Sequence, residues 1–134
     1  MKQKVQLEQA VEEIDGWLDR KKIFPSAREE LKDAIEILVE AISLGYLSLN
    51  DKGEFKQELL FPLKEEQALT HLDYKSRLND RMLEPHLKGV KAGNGDARIV
   101  AYLACLTGQA KGIIKALDTA DRKITNAIVI FFVS

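Results

Sequence analysis

Few residues of this chain have the types and the spacing that chemistry requires, and the clearest group is a pair of aspartates. Asp118 and Asp121 are separated by Thr119-Ala120. Two carboxylates at this spacing can lie on one face of a helix, which suits a metal ion or acid–base catalysis. The same segment has the form of a helix start, with Asp118 as the cap and Asp121 in the first turn. We favour the capping interpretation, because no third ligand stands at a suitable spacing.

The two histidines, the single cysteine and one glycine-rich loop carry weaker signals. His71 and His86 have no carboxylate or cysteine at ligand spacing, so we expect neither to bind zinc or to catalyse a reaction. Cys105 lies in an apolar stretch, which indicates a small buried side chain rather than a reactive thiol. The loop Gly93-Asn94-Gly95 follows no predicted parallel strand, and no Lys-Ser/Thr pair closes it. The sequence therefore predicts no catalytic residue, no metal site and no cofactor.

The composition is typical of a globular protein. The 134 residues are 46% hydrophobic and 31% charged, with a net charge of −1. A chain of this length can bury about two thirds of its unfolded surface in one core, so we expect a single domain spanning residues 1–134. No apolar run approaches the roughly 20 residues of a membrane span, and no signal peptide is visible. Basic residues are scattered and not interleaved with stacking aromatics. We therefore expect a cytoplasmic protein that binds neither nucleic acid nor membrane.

The elements that position these residues begin with an antiparallel helical hairpin, predicted over residues 1–45. The spacing of Leu7, Val11, Ile14 and Leu18 predicts an amphipathic helix over residues 3–22.

The second helix of this hairpin has clear end signals. Ser26 followed by Glu29 matches a capping box and predicts that the helix begins there. The helix is predicted to run to about Leu44, with Gly45 in the left-handed position that closes a helix.

A β-hairpin is predicted over residues 46–63. The segment Asn50-Asp51-Lys52-Gly53 has turn chemistry, with Gly53 available for positive φ, and strand-like residues flank it. Pro62 is predicted to end the second strand.

Residues 64–134 are predicted to form a bundle of three to five short helices. A helical turn is expected from Glu65 to about Leu72, followed by a helix from about Asn79 to Val90. Pro85 would kink that helix, so two short helices with Pro85 in the first turn of the second are the alternative. The remaining expected helices are Ala97–Leu106 with Asp96 as its cap, Gln109–Leu117 and Ala120–Phe132. The predicted fold class is therefore mainly α.

Seven apolar residues are the candidates for contacts with a partner protein. The last helix is apolar nearly all round, which is typical of a helix that is deeply enclosed or covered by another subunit. The edge of the predicted hairpin is a second candidate, because two strands alone are marginally stable. The candidate interaction residues are Trp17, Phe55, Ile128, Val129, Ile130, Phe132 and Val133. For Trp17, a role as a core anchor is the first interpretation and an interface role is the alternative.

The order of several short motifs resembles that of one known family. The motifs are Asp51-Lys52-Gly53 with the exit Leu60-Phe61-Pro62-Leu63, Leu72-Asp73-Tyr74-Lys75-Ser76-Arg77-Leu78, Gly95-Asp96, Ala101-Tyr102-Leu103-Ala104-Cys105-Leu106-Thr107-Gly108, and Leu117-Asp118-Thr119-Ala120-Asp121. In this order, over roughly residues 46–134, the chain resembles the tail assembly chaperones of tailed bacteriophages and prophages. The acidic helical hairpin before residue 46 has no counterpart in the family pattern.

The resemblance implies binding rather than catalysis. Such chaperones associate with the tape-measure protein and with tail-tube subunits, keep them soluble until the tail polymerises, and oligomerise on their partner. An unassembled tape measure exposes long apolar helical stripes that an apolar helical surface can cover. We therefore expect a non-catalytic tail assembly chaperone in the bacterial host cytoplasm, able to form a homo-oligomer.

Two other functions remain open at this point. The first is a small cytoplasmic helical adaptor or regulatory protein that acts through protein–protein interaction, with the acidic helical hairpin as its docking face. The second is an enzyme that uses Asp118 and Asp121 with a metal ion. Genes for tail proteins beside this one would favour the chaperone over the adaptor, and metal binding in calorimetry would favour the enzyme.

Overall fold

A computed structural model describes residues 3–64 and 68–133 of the chain. Within these ranges the chain forms seven helices and one three-stranded antiparallel sheet. The elements are α1 (Leu7–Lys21), α2 (Pro25–Glu30), α3 (Lys32–Ser43), β1 (Leu47–Leu49), β2 (Phe55–Leu63), β3 (Leu69–Asp73), α4 (Asp80–Leu87), α5 (Gly95–Thr107), α6 (Lys111–Ala116) and α7 (Thr119–Val133). The predicted helical majority is confirmed, and the sheet is larger than the predicted hairpin.

Helices α1 and α3 lie antiparallel, with the start of α1 beside the end of α3. The backbone N–H groups of Lys4 and Val5 donate to the Ser43 carbonyl at 2.7 and 3.1 Å. The Ser43 hydroxyl in turn donates to the Val5 carbonyl at 3.0 Å. The predicted apolar stripe of α1 is buried only in part: Ile14 and Leu18 are buried together with Ala10 and Trp17, whereas Leu7 and Val11 are exposed.

The second predicted helix is divided, and the predicted capping box at Ser26 and Glu29 is wrong. α2 begins at Pro25, and Phe24 precedes it without any side-chain cap. A proline suits the first helical position, because its φ is preset and its missing N–H would have no partner there. Ser26 therefore lies inside the first turn. Leu31, with φ −101° and ψ 18°, then separates α2 from α3.

The C-terminus of α3 has the glycine closure that the sequence predicts. Gly45 has φ +85°. Its N–H donates to the Ile42 carbonyl at 3.0 Å, and the Tyr46 N–H donates to the Ala41 carbonyl at 2.9 Å. These two bonds define a Schellman motif, which satisfies carbonyls that have no partner within the helix. The chain leaves the motif directly into β1.

The predicted hairpin is present as β1 and β2, with Leu47 opposite Gln57 and Leu49 opposite Phe55. In the turn, Asn50 Oδ1 accepts from the N–H groups of Lys52 and Glu54 at 2.9 and 3.0 Å. The prediction that Pro62 ends the second strand is wrong, since β2 continues to Leu63. The pairing of β2 with β3 is irregular between Glu58 and Leu63, so Pro62 lies where the regular ladder is already interrupted.

Strand β3 replaces the helical turn predicted from Glu65 to Leu72. Residues 65–67 of that prediction lie outside the described ranges, and Leu69–Asp73 pairs antiparallel with β2, with Leu72 opposite Gln57. A five-residue segment has little helical preference of its own, so pairing with the open edge of β2 decides its structure.

Helix α4 is one continuous helix with Pro85 inside it, so the alternative of two short helices is wrong. Asn79 caps α4, and its Oδ1 accepts from the Met82 N–H at 3.0 Å. The predicted cap of α5 was also wrong: Asn94 Oδ1 accepts from the Ala97 N–H at 3.1 Å, and Asp96 lies in the first turn. Gly108, with φ +70°, ends α5 as predicted.

The last helix, α7, packs against α3, α5 and β2. One cluster of buried residues extends from α1 through the sheet to α7 and includes Ile14, Leu38, Phe55, Leu103 and Ile128. Across the described part of the chain, no helix combines the length and the apolar character that crossing a bilayer requires.

Candidate binding groove and its supporting network

Asp118 and Asp121 have different partners and different surroundings. Asp118 is exposed, and its Oδ2 accepts from the Ala120 N–H at 2.9 Å, as expected for a residue at a helix start. Asp121 is fully buried, although the sequence indicated only a first-turn role. Its Oδ1 accepts from the Leu60 N–H at 2.7 Å, and its Oδ2 accepts from the Phe61 N–H at 3.1 Å. The carboxylate of Asp121 therefore joins α7 to β2.

This carboxylate belongs to a buried polar network. Gln57 is fully buried, and its Nε2 donates to the Asp121 carbonyl at 3.1 Å. The Tyr74 hydroxyl donates to Gln57 Oε1 at 2.6 Å. Burial first, and then the charge of Asp121, raises the pKa of Tyr74 well above its usual value. Tyr74 therefore remains a hydrogen-bond donor at neutral pH, and the network ties together β2, α7 and the residue that follows β3.

The network holds one wall of an apolar groove between α3 and α7. The groove has a volume of about 230 Å³. It is lined by Ile37, Glu40, Ala41 and Leu44 from α3 and its C-cap, by Ala120, Lys123 and Ile124 from α7, and by Tyr46 and Leu60. We call it the α3–α7 groove. Leu60 belongs to it because Asp121 fixes the backbone of β2 at Leu60 and Phe61.

The spacing of the groove residues explains its shape. Ile37, Ala41 and Leu44 repeat at helical intervals, so they form one stripe along α3 and its C-cap. Ala120 and Ile124 form a second apolar stripe, on α7. Such a pair of adjacent helical stripes can accept a third apolar helix. One charged residue from each helix, Glu40 and Lys123, borders the apolar surface, and both are exposed.

The structure places most of the predicted interaction residues in the core. Trp17 and Phe55 are buried with their ring centroids 4.8 Å apart, and Phe131 lies 5.2 Å from Trp17. Ile128 and Val129 are also buried. These four side chains are covered by the chain itself: the first interpretation of Trp17 as a core anchor is confirmed, and Phe55, Ile128 and Val129 are not surface residues.

The other three candidates are at the end of α7. Ile130 and Phe132 are half-buried, and Val133 is exposed. The apolar excess of the last helix is thus largely absorbed by α3, α5 and β2. None of the seven candidates lines the α3–α7 groove.

Sequence reasoning missed the groove, although one signal for it was present. The apolar face of α3 is wider than packing against one helix requires, because Ile37 and Leu44 extend it. In the structure the central part of that face, including Leu38 and Ile42, is buried in the core. Ile37 and Leu44 remain half-buried and line the groove.

A larger and more polar pocket of about 500 Å³ lies between the β-hairpin, the residues after β3 and the end of α5. Lys75 lines it, but its backbone N–H donates to the Leu106 carbonyl at 2.9 Å and its Nζ donates to the Cys105 carbonyl at 2.5 Å. Lys75 therefore caps the C-terminus of α5. Within residues 3–64 and 68–133, no three His, Cys, Asp or Glu side chains are grouped as metal ligands would be.

Comparison with protein-family models, with curated proteins and with solved structures finds no match for this chain.

Proposed function

We propose that this chain is a non-catalytic binding domain that docks an apolar helix of a partner protein in the α3–α7 groove. The observation that carries the proposal is the pair of apolar stripes from α3 and α7, in which Ile37, Leu44 and Ala120 remain half-buried. Apolar area that is covered on binding contributes about 25 cal/mol per Å², so a helix seated on both stripes gains most of its affinity there.

The charges at the border define the partner further. Glu40 lies on the α3 side and Lys123 on the α7 side. The occupant is therefore an amphipathic helix with a basic residue on one flank of its apolar stripe and an acidic residue on the other. Exposed ion pairs contribute only about 0–1 kcal/mol, so these two charges orient the helix more than they hold it.

The particular function that we propose is that of a phage or prophage tail assembly chaperone. Its occupant is then an apolar helical stripe of the tape-measure protein, and tail-tube subunits are further partners. The resemblance over residues 46–134 and the open apolar groove support this proposal. A small cytoplasmic adaptor that uses the same groove for another helical partner is the alternative.

The test is co-expression with the tape-measure and tail-tube proteins encoded in the same genome. The variant Ile37→Gln places an amide in the groove, and we expect it to weaken co-purification of the partner about tenfold, because roughly 1–2 kcal/mol of apolar contact is lost. Val11→Gln is the matched control, since Val11 is an exposed apolar residue of α1 outside the groove. It should leave binding unchanged.

Each outcome decides a different part of the proposal. A tape measure that stays insoluble in the presence of the wild-type chain argues against the chaperone function and favours the adaptor. Equal binding by Ile37→Gln and the wild type shows that the groove is not the docking site. Light scattering that shows a dimer sensitive to Ile37→Gln, without partner binding, identifies a second copy of the chain as the occupant.

A further inference from the structure

A second, smaller pocket of about 150 Å³ lies where the end of α1, the turn between β1 and β2 and the segment between β3 and α4 meet. Arg20 and Lys21 line it from α1, Lys52 from the turn and Arg77 from the segment before α4. None of its lining residues is acidic, and none is shared with the α3–α7 groove. We call it the basic pocket.

The cations of the basic pocket have no neutralising partner in the described structure. The side chains of Arg20, Lys52 and Arg77 form no hydrogen bond or ion pair with any residue of 3–64 and 68–133. By contrast, Arg28 pairs with Asp19 at 2.8 Å elsewhere on the surface. Folding thus brings four positive charges together and leaves them unpaired within these ranges.

Lys21 shows that this charge is partly removed from water. Its Nζ lies 3.4 Å from the centroid of the Phe132 ring and 6.0 Å from that of Trp17, and the residue is half-buried. Burial first, and then the positive charge of Arg77, lowers the pKa of Lys21 from 10.5 to about 8. A lysine on an ordinary solvated surface would have neither this ring contact nor this burial, and its pKa would not be lowered in this way.

The walls of the basic pocket are anchored to the fold. Trp17, at its base, is buried and packs against Phe55 and Phe131. Gly53 has φ +76°, and a Cβ built there would lie 3.4 Å from Arg20 Nε. The glycine therefore gives the turn its left-handed backbone, and the Arg20 guanidinium lies beside it.

We infer that the basic pocket binds a phosphate-class oxyanion, either inorganic phosphate or the phosphoryl group of a small molecule. Its volume of about 150 Å³ is large enough to admit an anion of the size of phosphate. Guanidinium groups such as those of Arg20 and Arg77 bind oxyanions in a bidentate manner. A single carboxylate would neutralise only one of the four charges, whereas a phosphate dianion neutralises two.

The first experiment is calorimetric titration of the full chain with inorganic phosphate at pH 7 in low-chloride buffer, and then with glycerol phosphate. We expect saturable binding, weakened roughly tenfold by Arg77→Gln and by Arg20→Gln. Lys91→Gln is the control, because Lys91 is exposed and lies outside the pocket. Melting temperatures accompany each variant. Since Arg77→Gln removes a repulsion, it should melt no lower than the wild type.

The second experiment measures proton linkage with sulfate, which does not itself titrate, at pH 8.5. The charged groups that line the pocket with Lys21 are Arg20, Lys52 and Arg77, and the Phe132 ring of α7 lies against its Nζ. A bound anion favours the charged lysine, so binding should take up a fraction of a proton. Calorimetry in two buffers of different ionisation enthalpy measures this uptake.

The outcomes separate the sources of the anion. Tighter binding of glycerol phosphate than of phosphate identifies the phosphoryl group of a larger molecule as the ligand, and equal affinities identify the free oxyanion. The inference is overturned by non-saturable heats, or by wild-type affinity in a folded Arg77→Gln variant. Because the two sites share no residue, neither result bears on the α3–α7 groove.

Discussion

At the scale of single residues, Asp121 connects the last helix to the central strand. Its two carboxylate oxygens accept consecutive N–H groups, from Leu60 and Phe61, and its backbone carbonyl accepts from Gln57. Consecutive amides that converge on one carboxylate require the irregular backbone found between Glu58 and Leu63. One buried side chain therefore sets the local geometry of β2 and the position of Leu60 in the groove.

We predict that Asp121→Asn destabilises the fold by about 2 kcal/mol. The amide nitrogen of asparagine cannot accept, so one buried strand N–H loses its partner. Asp118→Asn is the matched control, because asparagine caps a helix as well as aspartate does, and it should change stability by less than about 0.5 kcal/mol. Urea denaturation measures both. Equal effects at the two positions would contradict the role assigned to Asp121.

The hydroxyl of Tyr74 gives the stability of the fold a defined pH dependence. The pKa of Tyr74 is raised in the folded state, so its contribution is fully present below the unfolded pKa of about 10 and is lost as the pH rises above it. We predict that Tyr74→Phe costs about 1–2 kcal/mol at pH 7, since Gln57 Oε1 loses its donor. The variant should also lose less stability than the wild type between pH 9 and 11.

The control for this prediction is Tyr102→Phe, whose ring packs beside Arg98 on α5. It should keep the pH dependence of the wild type. Lys21, with its pKa lowered to about 8, makes the folded state more stable as the pH rises from 8 to 10.5. This opposing trend is common to all three proteins and cancels in the comparison. If Tyr74→Phe loses as much stability as the wild type between pH 9 and 11, ionisation of the Tyr74 hydroxyl is not the cause of the alkaline loss.

At the scale of elements, helix ends show which local signals decide a structure. Gly45 and Gly108 end helices as predicted, because a positive φ is available to glycine whatever surrounds it. Ser26 and Asp96 do not cap, because Pro25 and Asn94 start their helices earlier. Where two residues close together in sequence can each mark the start of a helix, sequence alone does not rank them.

We predict opposite effects for two glycine-to-alanine substitutions, one just after the C-terminus of α3 and one inside α6. At Gly45, φ is +85° and a Cβ would lie 2.8 Å from Lys4 Cγ, so Gly45→Ala should cost about 1–2 kcal/mol. At Gly112 of α6, φ is not positive and a Cβ meets nothing within 4 Å, so Gly112→Ala should stabilise by roughly 0.5–1 kcal/mol. Thermal melts compare the two. Stabilisation by Gly45→Ala would show that the Schellman closure is dispensable.

Strand β3 illustrates the limit of local prediction. Leu69–Asp73 has only five residues, and it is ordered by antiparallel pairing with β2, the strand that precedes it in the chain. The strand exists because β2 offers an unpaired edge on the side away from β1. A strand that depends on an edge supplied by another element leaves a weak pattern in its own residues.

At the scale of the whole molecule, the sequence indicated where apolar residues are abundant but not which of them remain accessible. The spacing of Leu7, Val11, Ile14 and Leu18 predicted one apolar face of α1, and the structure buries Ile14 and Leu18 but leaves Leu7 and Val11 exposed. The partner surface was expected at the end of α7, whereas the open apolar groove lies between α3 and α7. Which apolar face stays open depends on the packing of α7 against three other elements, and periodicity within one helix does not specify that packing.

The basic pocket, like the groove, depends on how separate elements pack against one another. Arg20, Lys52 and Arg77 are scattered along the sequence, and the chain's net charge of −1 gave no sign of a local excess of cations. Only the meeting of α1, the hairpin turn and the segment before α4 concentrates them. A charge cluster assembled from three elements is a property of the tertiary structure.

The link between Asp121 and β2 also has a consequence for the order of folding. The bonded residues are 61 and 60 positions apart in sequence. Closing so long a loop carries an entropic cost that the local β1–β2 hairpin avoids, and hairpins form in about 1–10 μs.

The contact between Asp121 and β2 should therefore be absent from the transition state, and Asp121→Asn should accelerate unfolding with little change in the folding rate. Stopped-flow chevrons would show a φ-value near zero, and a value near one would contradict this order. A contact that forms after the transition state completes the groove at Leu60 only in the final step of folding, so the apolar groove is absent from a chain that is still folding.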